Sequence, residues 1–186
     1  MTTITINVTG EAARERISKL AQAVGPAILL KLIGQRLLSY IDESFRTRGR
    51  GQWRPLAAST LETRPHGGDA PLQDSGRYKQ SFVTETDGRS YVEAGTNLKT
   101  ASGIPLGPIH EHGTGPFTIR AVRARVLAAR LRTGGWMLFG REVHHPGIPA
   151  RPVLPNQVTA ERLVGETVEG MLREVANGGD AGGRVG

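Results

Sequence analysis

An apolar residue recurs at every fourth position between Leu29 and Phe45. The members of this series are Leu29, Ile33, Leu37, Ile41 and Phe45, and the stripe is widened by Leu30, Leu32 and Leu38. This spacing places the side chains on one face of an α-helix, and such a face is stable only when another element covers it. Gly25-Pro26 precedes the series, and proline is favoured in the first turn of a helix. The sequence therefore predicts a long amphipathic helix that begins near Pro26 and packs against a second layer.

Two further helices and a strand are candidates for that layer. Apolar and polar residues alternate over residues 2–8, which predicts a strand. Thr9 is a suitable N-cap for a helix that ends at Gly25. A third helical stripe lies near the end of the chain and consists of Val164, Val168, Met171, Leu172 and Val175.

Two β-hairpins are predicted between the second and third helices. The first has β-rich runs around Asp87-Gly88, which is a strong turn signal. The second occupies residues 117–143 and turns at Gly134-Gly135; residues 121–131 also fit a basic helix, but the β-rich flanks favour strands.

The helices and strands are segregated along the chain, which predicts an α+β fold. We expect amphipathic helices packed on a small, mostly antiparallel sheet, with a projecting β-hairpin and long ordered loops. Residues 1–176 are expected to form a single domain. The glycine-rich residues 177–186 are expected to form a disordered tail.

The chain is basic, with a formal net charge of +7. Residues 46–66 hold five arginines against Glu62, and residues 101–155 hold seven arginines against two glutamates. Such a surface has three interpretations: it contacts nucleic acid, it docks on an acidic partner, or it is an ordinary solvated face. The sequence has no cysteine and no run of about 18 apolar residues, so we expect neither a disulfide nor a membrane span.

The motifs of catalysis and of metal binding are absent from the sequence. The helical HExxH pattern does not occur, and after His112 the next acidic residue is Glu142. His144 and His145 are adjacent and would point to opposite sides of a strand. Neither a G-x-S-x-G nucleophile turn nor a phosphate loop with Lys-Ser/Thr is present. We therefore expect no enzymatic activity, no cofactor and no metal.

Residues 143–155 read VHHPGIPARPVLP and combine two histidines and an arginine with four prolines. Such a segment is either a metal or catalytic site, or a stiff strap. Proline has little backbone freedom to lose on docking, and Pro149 and Pro152 bracket an Arg151 that is able to reach a carboxylate. We predict that residues 148–154 fix the last helix against the sheet, with Arg151 bonded within the chain or to a neighbouring copy.

Five short motifs follow one another over most of the chain. They are SFRTRGRGQWRPLAASTLETR (44–64), LQDSGRYKQSF (72–82), VEAGTN (92–97), PIHEHGTGP (108–116) and HHPGIPARPVLP (144–155). Their content and order resemble the phage virion morphogenesis family, whose members are tail-completion or neck proteins of tailed bacteriophages. Tyr78, His112 and Val153 stand where that family usually has Leu, Phe and Phe.

The resemblance implies a structural role in the virion. Family members form rings of identical subunits at the junction of head and tail, and the resemblance suggests six subunits. The expected partners are other copies of the chain, neighbouring neck or connector proteins, tail terminator or tail tube proteins, and packaged DNA through non-specific contact. The protein would be made in the host cytoplasm and reside in the head–tail neck of the virion.

Two groups of residues are candidates for these contacts. The candidates for a subunit or partner interface are Trp53, Arg54, His110, Arg123, Arg125 and Arg151. The candidates for contact with DNA in the channel are Arg120, Arg123, Arg125, Arg130 and Arg132. Because the second group is so concentrated, the alternative interpretation is a basic accessory protein that binds nucleic acid.

Overall fold

The computed structural model describes residues 2–3 and 11–178 and has the predicted α+β fold. Its long helices are α1 (Glu11–Val24), α2 (Pro26–Arg46) and α6 (Gln157–Gly178), and its short helices are α3 (Ala58–Thr63), α4 (Arg77–Gln80) and α5 (Leu106–His112). Its strands are β1 (Thr2–Thr3), β2 (Val83–Thr86), β3 (Val92–Thr96), β4 (Phe117–Arg120), β5 (Leu127–Arg130), β6 (Trp136–Gly140) and β7 (Glu142–His145). Among the helices within these residues, none could cross a membrane alone; α1 and α2 satisfy the length and composition criteria only as a pair bent by 115°.

Helix α2 lies at the centre of the core, because it packs on α1, on α6 and on the sheet. The predicted stripe is confirmed: the side chains exposed by at most 7% include Leu29, Ile33, Leu37, Ile41 and Phe45. Val164 and Val168 of α6 are buried as well, whereas Val175 is half exposed near the end of that helix. Complete burial of one such side chain contributes about 1.5–3 kcal/mol, so this stripe accounts for much of the stability of the fold.

A three-stranded antiparallel sheet in the order β1-β3-β2 packs on α2. The hairpin predicted around Asp87-Gly88 is confirmed as β2 and β3. Gly34 lets the helix approach this sheet closely, since a Cβ atom there would lie 3.1 Å from the Val92 side chain and 3.2 Å from that of Thr84. The missing side chain at this one helical position therefore sets the distance between the two layers.

The second predicted hairpin is confirmed as two antiparallel ladders in series. Strand β4 pairs with β7, and β5 pairs with β6 around the turn that contains Gly134-Gly135. Residues 122–126 form bends between the two ladders, so the alternative basic helix is not present. Residues 117–145 are called the arm below.

The three short helices are not predicted by the sequence pattern. They contain four to seven residues each, which is too few turns for an apolar period to emerge. Helix α3 therefore lies within one of the expected long loops, where the sequence shows no helical period. Residues 4–8 of the predicted first strand, its neighbour Thr9, and residues 179–186 of the predicted tail lie outside the described residues. Asn177 and Gly178, expected to begin that tail, instead belong to α6.

Candidate interaction surface

The strap, residues 148–154, is held by hydrogen bonds to its backbone. The carboxylate of Glu111, on α5, accepts N–H bonds from Val153 at 2.8 Å and from Leu154 at 3.2 Å. The backbone N–H of Arg151 donates to the carbonyl oxygen of His110 at 2.6 Å. Burial raises the pKa of Glu111, and the two strap N–H groups oppose that rise. Helix α5 is thus the main support of the strap.

The C-terminal end of α2 and the loop after it hold the other side of the strap. The Ser44 hydroxyl donates to the carbonyl oxygen of Val153 at 3.2 Å, and the Trp53 indole N–H donates to that of Pro152 at 3.1 Å. These bonds fix the strap against α5 and against the C-terminal end of α2 with its following loop. Val153 of the strap also belongs to the buried core that contains Leu163 and Val164 of α6, and the expectation that the strap fixes α6 against the sheet stays a prediction.

Arg151 is bonded within the chain, but not to a carboxylate. Its guanidinium donates to the carbonyl oxygen of Arg54 at 3.0 Å and to that of Pro55 at 3.3 Å. The residue is 6% exposed, and burial lowers its pKa from the ordinary value. The structure therefore places Arg151 and Trp53 in the interior of the chain, whereas Arg54 is exposed beside them.

An aromatic cluster lies beneath the strap. The ring of Phe45 makes edge contacts with Trp53, Tyr78 and Phe82, with centroid distances of 5.8–6.0 Å. The His110 ring meets the Tyr78 ring edge-on at 4.7 Å. Burial, and then the charge of the nearby Arg151, lowers the pKa of His110 to about 4, so this imidazole is neutral at neutral pH. The predicted interface residue His110 is therefore also an internal support.

The histidines do not converge. His66 lies beside Asp74, His144 bonds the Thr118 hydroxyl, and the His145 ring stacks on that of Phe117. Within residues 2–3 and 11–178, no group of three His, Cys, Asp or Glu side chains could hold a metal ion. The expectation of no metal and no cofactor stays a prediction.

The arm differs from the rest of the chain because it has no core. None of residues 117–145, all of which the structure describes, is buried. Half of the large apolar side chains exposed in the described chain lie in it: Phe117, Ile119, Val122, Val126, Trp136, Leu138 and Phe139. On the outward face of β5 and β6, Trp136 is 66% and Leu138 67% exposed, with Arg130 directly across from Trp136. An isolated two-stranded hairpin is at best marginally stable, and exposed apolar patches are a common feature of interaction surfaces.

The arginines of the arm are largely without ion pairs. Arg120 pairs with Glu142 across the β4–β7 ladder at 2.9 Å. Five others have no carboxylate within ion-pair distance in the part of the chain that the structure describes: Arg123, Arg125, Arg130, Arg132 and Arg141. The structure therefore brings the predicted DNA-channel residues together on one exposed element, although Arg120 is already neutralised.

Both ends of the arm are attached to the body. At its root, Thr114 and Ile148 exchange hydrogen bonds, and a Cβ atom at Gly147 would collide with the Thr114 carbonyl oxygen. Gly147 also has a φ of +100°, which glycine alone adopts readily. At its tip, the backbone N–H of Arg132 donates to the carbonyl oxygen of Glu62 at 2.8 Å. The predicted projecting hairpin thus leaves the core but is tied back to the end of α3.

Sequence reasoning missed two features of this surface. Glu111 is the acceptor that holds the strap, and its only signal was its place next to His110 in a motif that contains the histidines. Trp136 and Leu138 belong to an apolar run that is typical of a buried strand, yet both are exposed. The role of Glu111 could be recognised only once the position of the strap was known. The exposure of Trp136 and Leu138 could be recognised only once the structure showed that no other element covers them.

No protein-family model matches the chain, and neither a curated protein nor a solved structure matches it. The resemblance to tail-completion proteins therefore rests on the five motifs. Four of the five supply residues to the strap, the aromatic cluster or the root of the arm.

Proposed function

We propose that the chain is a structural virion protein that forms a ring of identical subunits at the head–tail junction of a tailed bacteriophage. The observation that carries the proposal is the arm, a basic and apolar hairpin without a buried residue. Exposed apolar side chains that cluster on one element are typical of an interaction site. The order of the five motifs supports the assignment to virion assembly, and the role involves no catalysis, cofactor or metal.

The strap gives the arm a fixed orientation. Strand β7 ends at His145, and the strap begins three residues later with its backbone bonded to Thr114, just before β4. Both strands at the root of the arm are therefore anchored to a segment that α5 holds from the other side. A ring repeats one contact and must close on itself, so a fixed orientation of the contacting element favours closure.

The proposed partners follow from the charge. Arg123 and Arg125 lie in the exposed segment between β4 and β5, away from any carboxylate of the described chain. We place them opposite packaged DNA or an acidic surface of an adjoining neck, connector, terminator or tail tube protein. Six subunits remain the expectation from the resemblance, and the assembled virion neck remains the expected location.

The proposal is tested by sedimentation and negative-stain imaging of the purified chain, followed by complementation in a phage that lacks its own copy. We expect rings from the wild type. The variant Arg123→Glu/Arg125→Glu should fold normally but yield unjoined heads and tails or particles that lose DNA. A matched control, Arg77→Glu/Arg89→Glu, makes the same charge change at exposed positions outside the arm. Normal particle yield from the arm variant would contradict the proposed contact.

A second candidate function is non-specific binding of nucleic acid. The observation in its favour is Arg130 across from the exposed ring of Trp136, since aromatic faces stack on bases and arginine contacts phosphate. Salt-dependent binding of single-stranded DNA, lost on Trp136→Ala, would favour this candidate. Assembly into rings with no DNA affinity would reject it.

A further inference from the structure

We infer that the outward face of β5 and β6 docks into a groove between α1 and α6 of a second copy of the chain. This inference rests on the proposed ring and names the contact that would build it. The face carries Trp136, Leu138 and Arg130. The groove belongs to a different part of the molecule, so the contact joins unlike surfaces and propagates from copy to copy.

The groove matches the apolar part of that face. It has a volume of about 380 Å³ and is lined by Ile17 of α1 and by Val164, Gly165 and Val168 of α6. Sites that hold small molecules span about 300–1,000 Å³, so this one has room for one large side chain. Gly165 keeps it open, because a Cβ atom there would meet nothing within 4 Å.

The charges match as well. Glu161 lies at the rim of the groove and accepts a hydrogen bond from the Gln157 side chain, but has no ion-pair partner among residues 11–178. Arg130 of the arm likewise has none there. The second rim carboxylate, Glu169, is already paired with Arg16 and Arg173. The apolar patch of one copy, with the unpaired Arg130 beside it, thus fits the apolar groove of a second copy, with the unpaired Glu161 beside it. Every copy of the chain carries both surfaces.

Helix α6 offers a control for this groove. Gly170 lies on another side of the same helix, facing a groove shared with α2, and a Cβ atom there would also meet nothing within 4 Å. Two carboxylates line that groove: Glu166, which is paired with Arg36 and Arg162, and Glu174, which has no ion pair among residues 11–178. Leucine at Gly165 would fill the proposed docking groove, whereas leucine at Gly170 would fill the other one, and both changes favour helix formation.

The test compares the self-association of the full-length variants by sedimentation velocity over a range of concentrations. Gly165→Leu and Trp136→Ala should each weaken association about 30-fold or more, the effect of losing an interface hot spot. Gly170→Leu, and Tyr91→Ala as an exposed aromatic outside the arm, should associate like the wild type. Circular dichroism of each variant checks that the chain is folded.

The charge pair is tested by exchange. Arg130→Glu and Glu161→Arg should each weaken association, and the double variant should recover most of it, because the two charges meet between copies. Failure of the double variant to recover would overturn this pairing. Wild-type rings that survive Gly165→Leu and Trp136→Ala would overturn the docking inference and leave the ring to another surface. A wild-type chain that stays monomeric at every concentration would overturn both the docking and the proposed ring.

Discussion

The strap and the arm are adjacent in sequence, yet the strap is packed into the core of the chain whereas the arm has no buried residue. The two tryptophans show the contrast. Trp53 is 6% exposed, bonded to the strap and packed edge-on against Phe45, whereas Trp136 is 66% exposed on a two-stranded ladder. Proline content and motif order predict a stiff strap, and hydrogen-bond partners on α2, on α5 and in the loop between α2 and α3 hold it in place. The contrast teaches that the arm, unlike the strap, has no buried side chain of its own to stabilise it, and we propose that other copies of the chain supply that contact.

The largest expected effect separates these two side chains. Trp53→Ala should lower the free energy of unfolding by about 3–5 kcal/mol, since it removes a buried aromatic ring and a hydrogen bond to the strap. Trp136→Ala should change it by no more than about 0.5 kcal/mol, as for other surface positions. Urea denaturation at a concentration at which the chain is monomeric measures both. A similar loss for the two variants would contradict the distinction between strap and arm.

The next effect concerns the support of the strap by α5. Glu111→Ala leaves the backbone N–H groups of Val153 and Leu154 without their acceptor, and one unsatisfied buried group costs about 1–3 kcal/mol. We expect a loss of about 2–4 kcal/mol in the free energy of unfolding. Glu111→Gln is the control, because the glutamine amide oxygen still accepts hydrogen bonds from the strap. Its loss in the free energy of unfolding should be less than half of that of Glu111→Ala. Equal losses would show that the charge, not the acceptor, holds the strap.

A smaller effect is expected from pH. The pKa of His110 is about 4 in the folded chain and 6.5 ordinarily, so the unfolded chain binds more protons between these values. The contribution of neutral His110 to the free energy of unfolding is complete above about pH 6.5 and is lost as the pH falls towards 4. The raised pKa of Glu111 acts in the opposite direction, because protonation of that carboxyl favours the folded chain.

His110→Phe isolates the histidine, since it keeps a ring against Tyr78 and leaves Glu111 in place. The unfolding free energy of this variant should rise relative to the wild type as the pH decreases from 6.5 to 4. Denaturation curves at several pH values measure the difference. Parallel pH profiles for the two proteins would show that His110 is not buried as the structure has it.

The sequence predicts the elements that depend on repetition and fails at contacts made by single groups. The four-residue spacing from Leu29 to Phe45 identifies α2 because each member repeats the same signal. The acceptor role of Glu111 and the carbonyl partners of Arg151 could not be predicted, because they depend on where α5 and the loop after α2 meet in space. The exposure of Trp136 could not be predicted for a related reason. The apolar sequence pattern of a strand is the same whether or not another layer covers the strand.

Hydrogen exchange of the arm in the monomeric and the assembled protein tests the central claim most directly. Amides of residues 127–140 should exchange rapidly in dilute monomer and become protected on assembly, whereas those of Arg151, Val153 and Leu154 should be protected in both states. Arm amides that exchange at the same rate in assembled and monomeric protein would contradict the account.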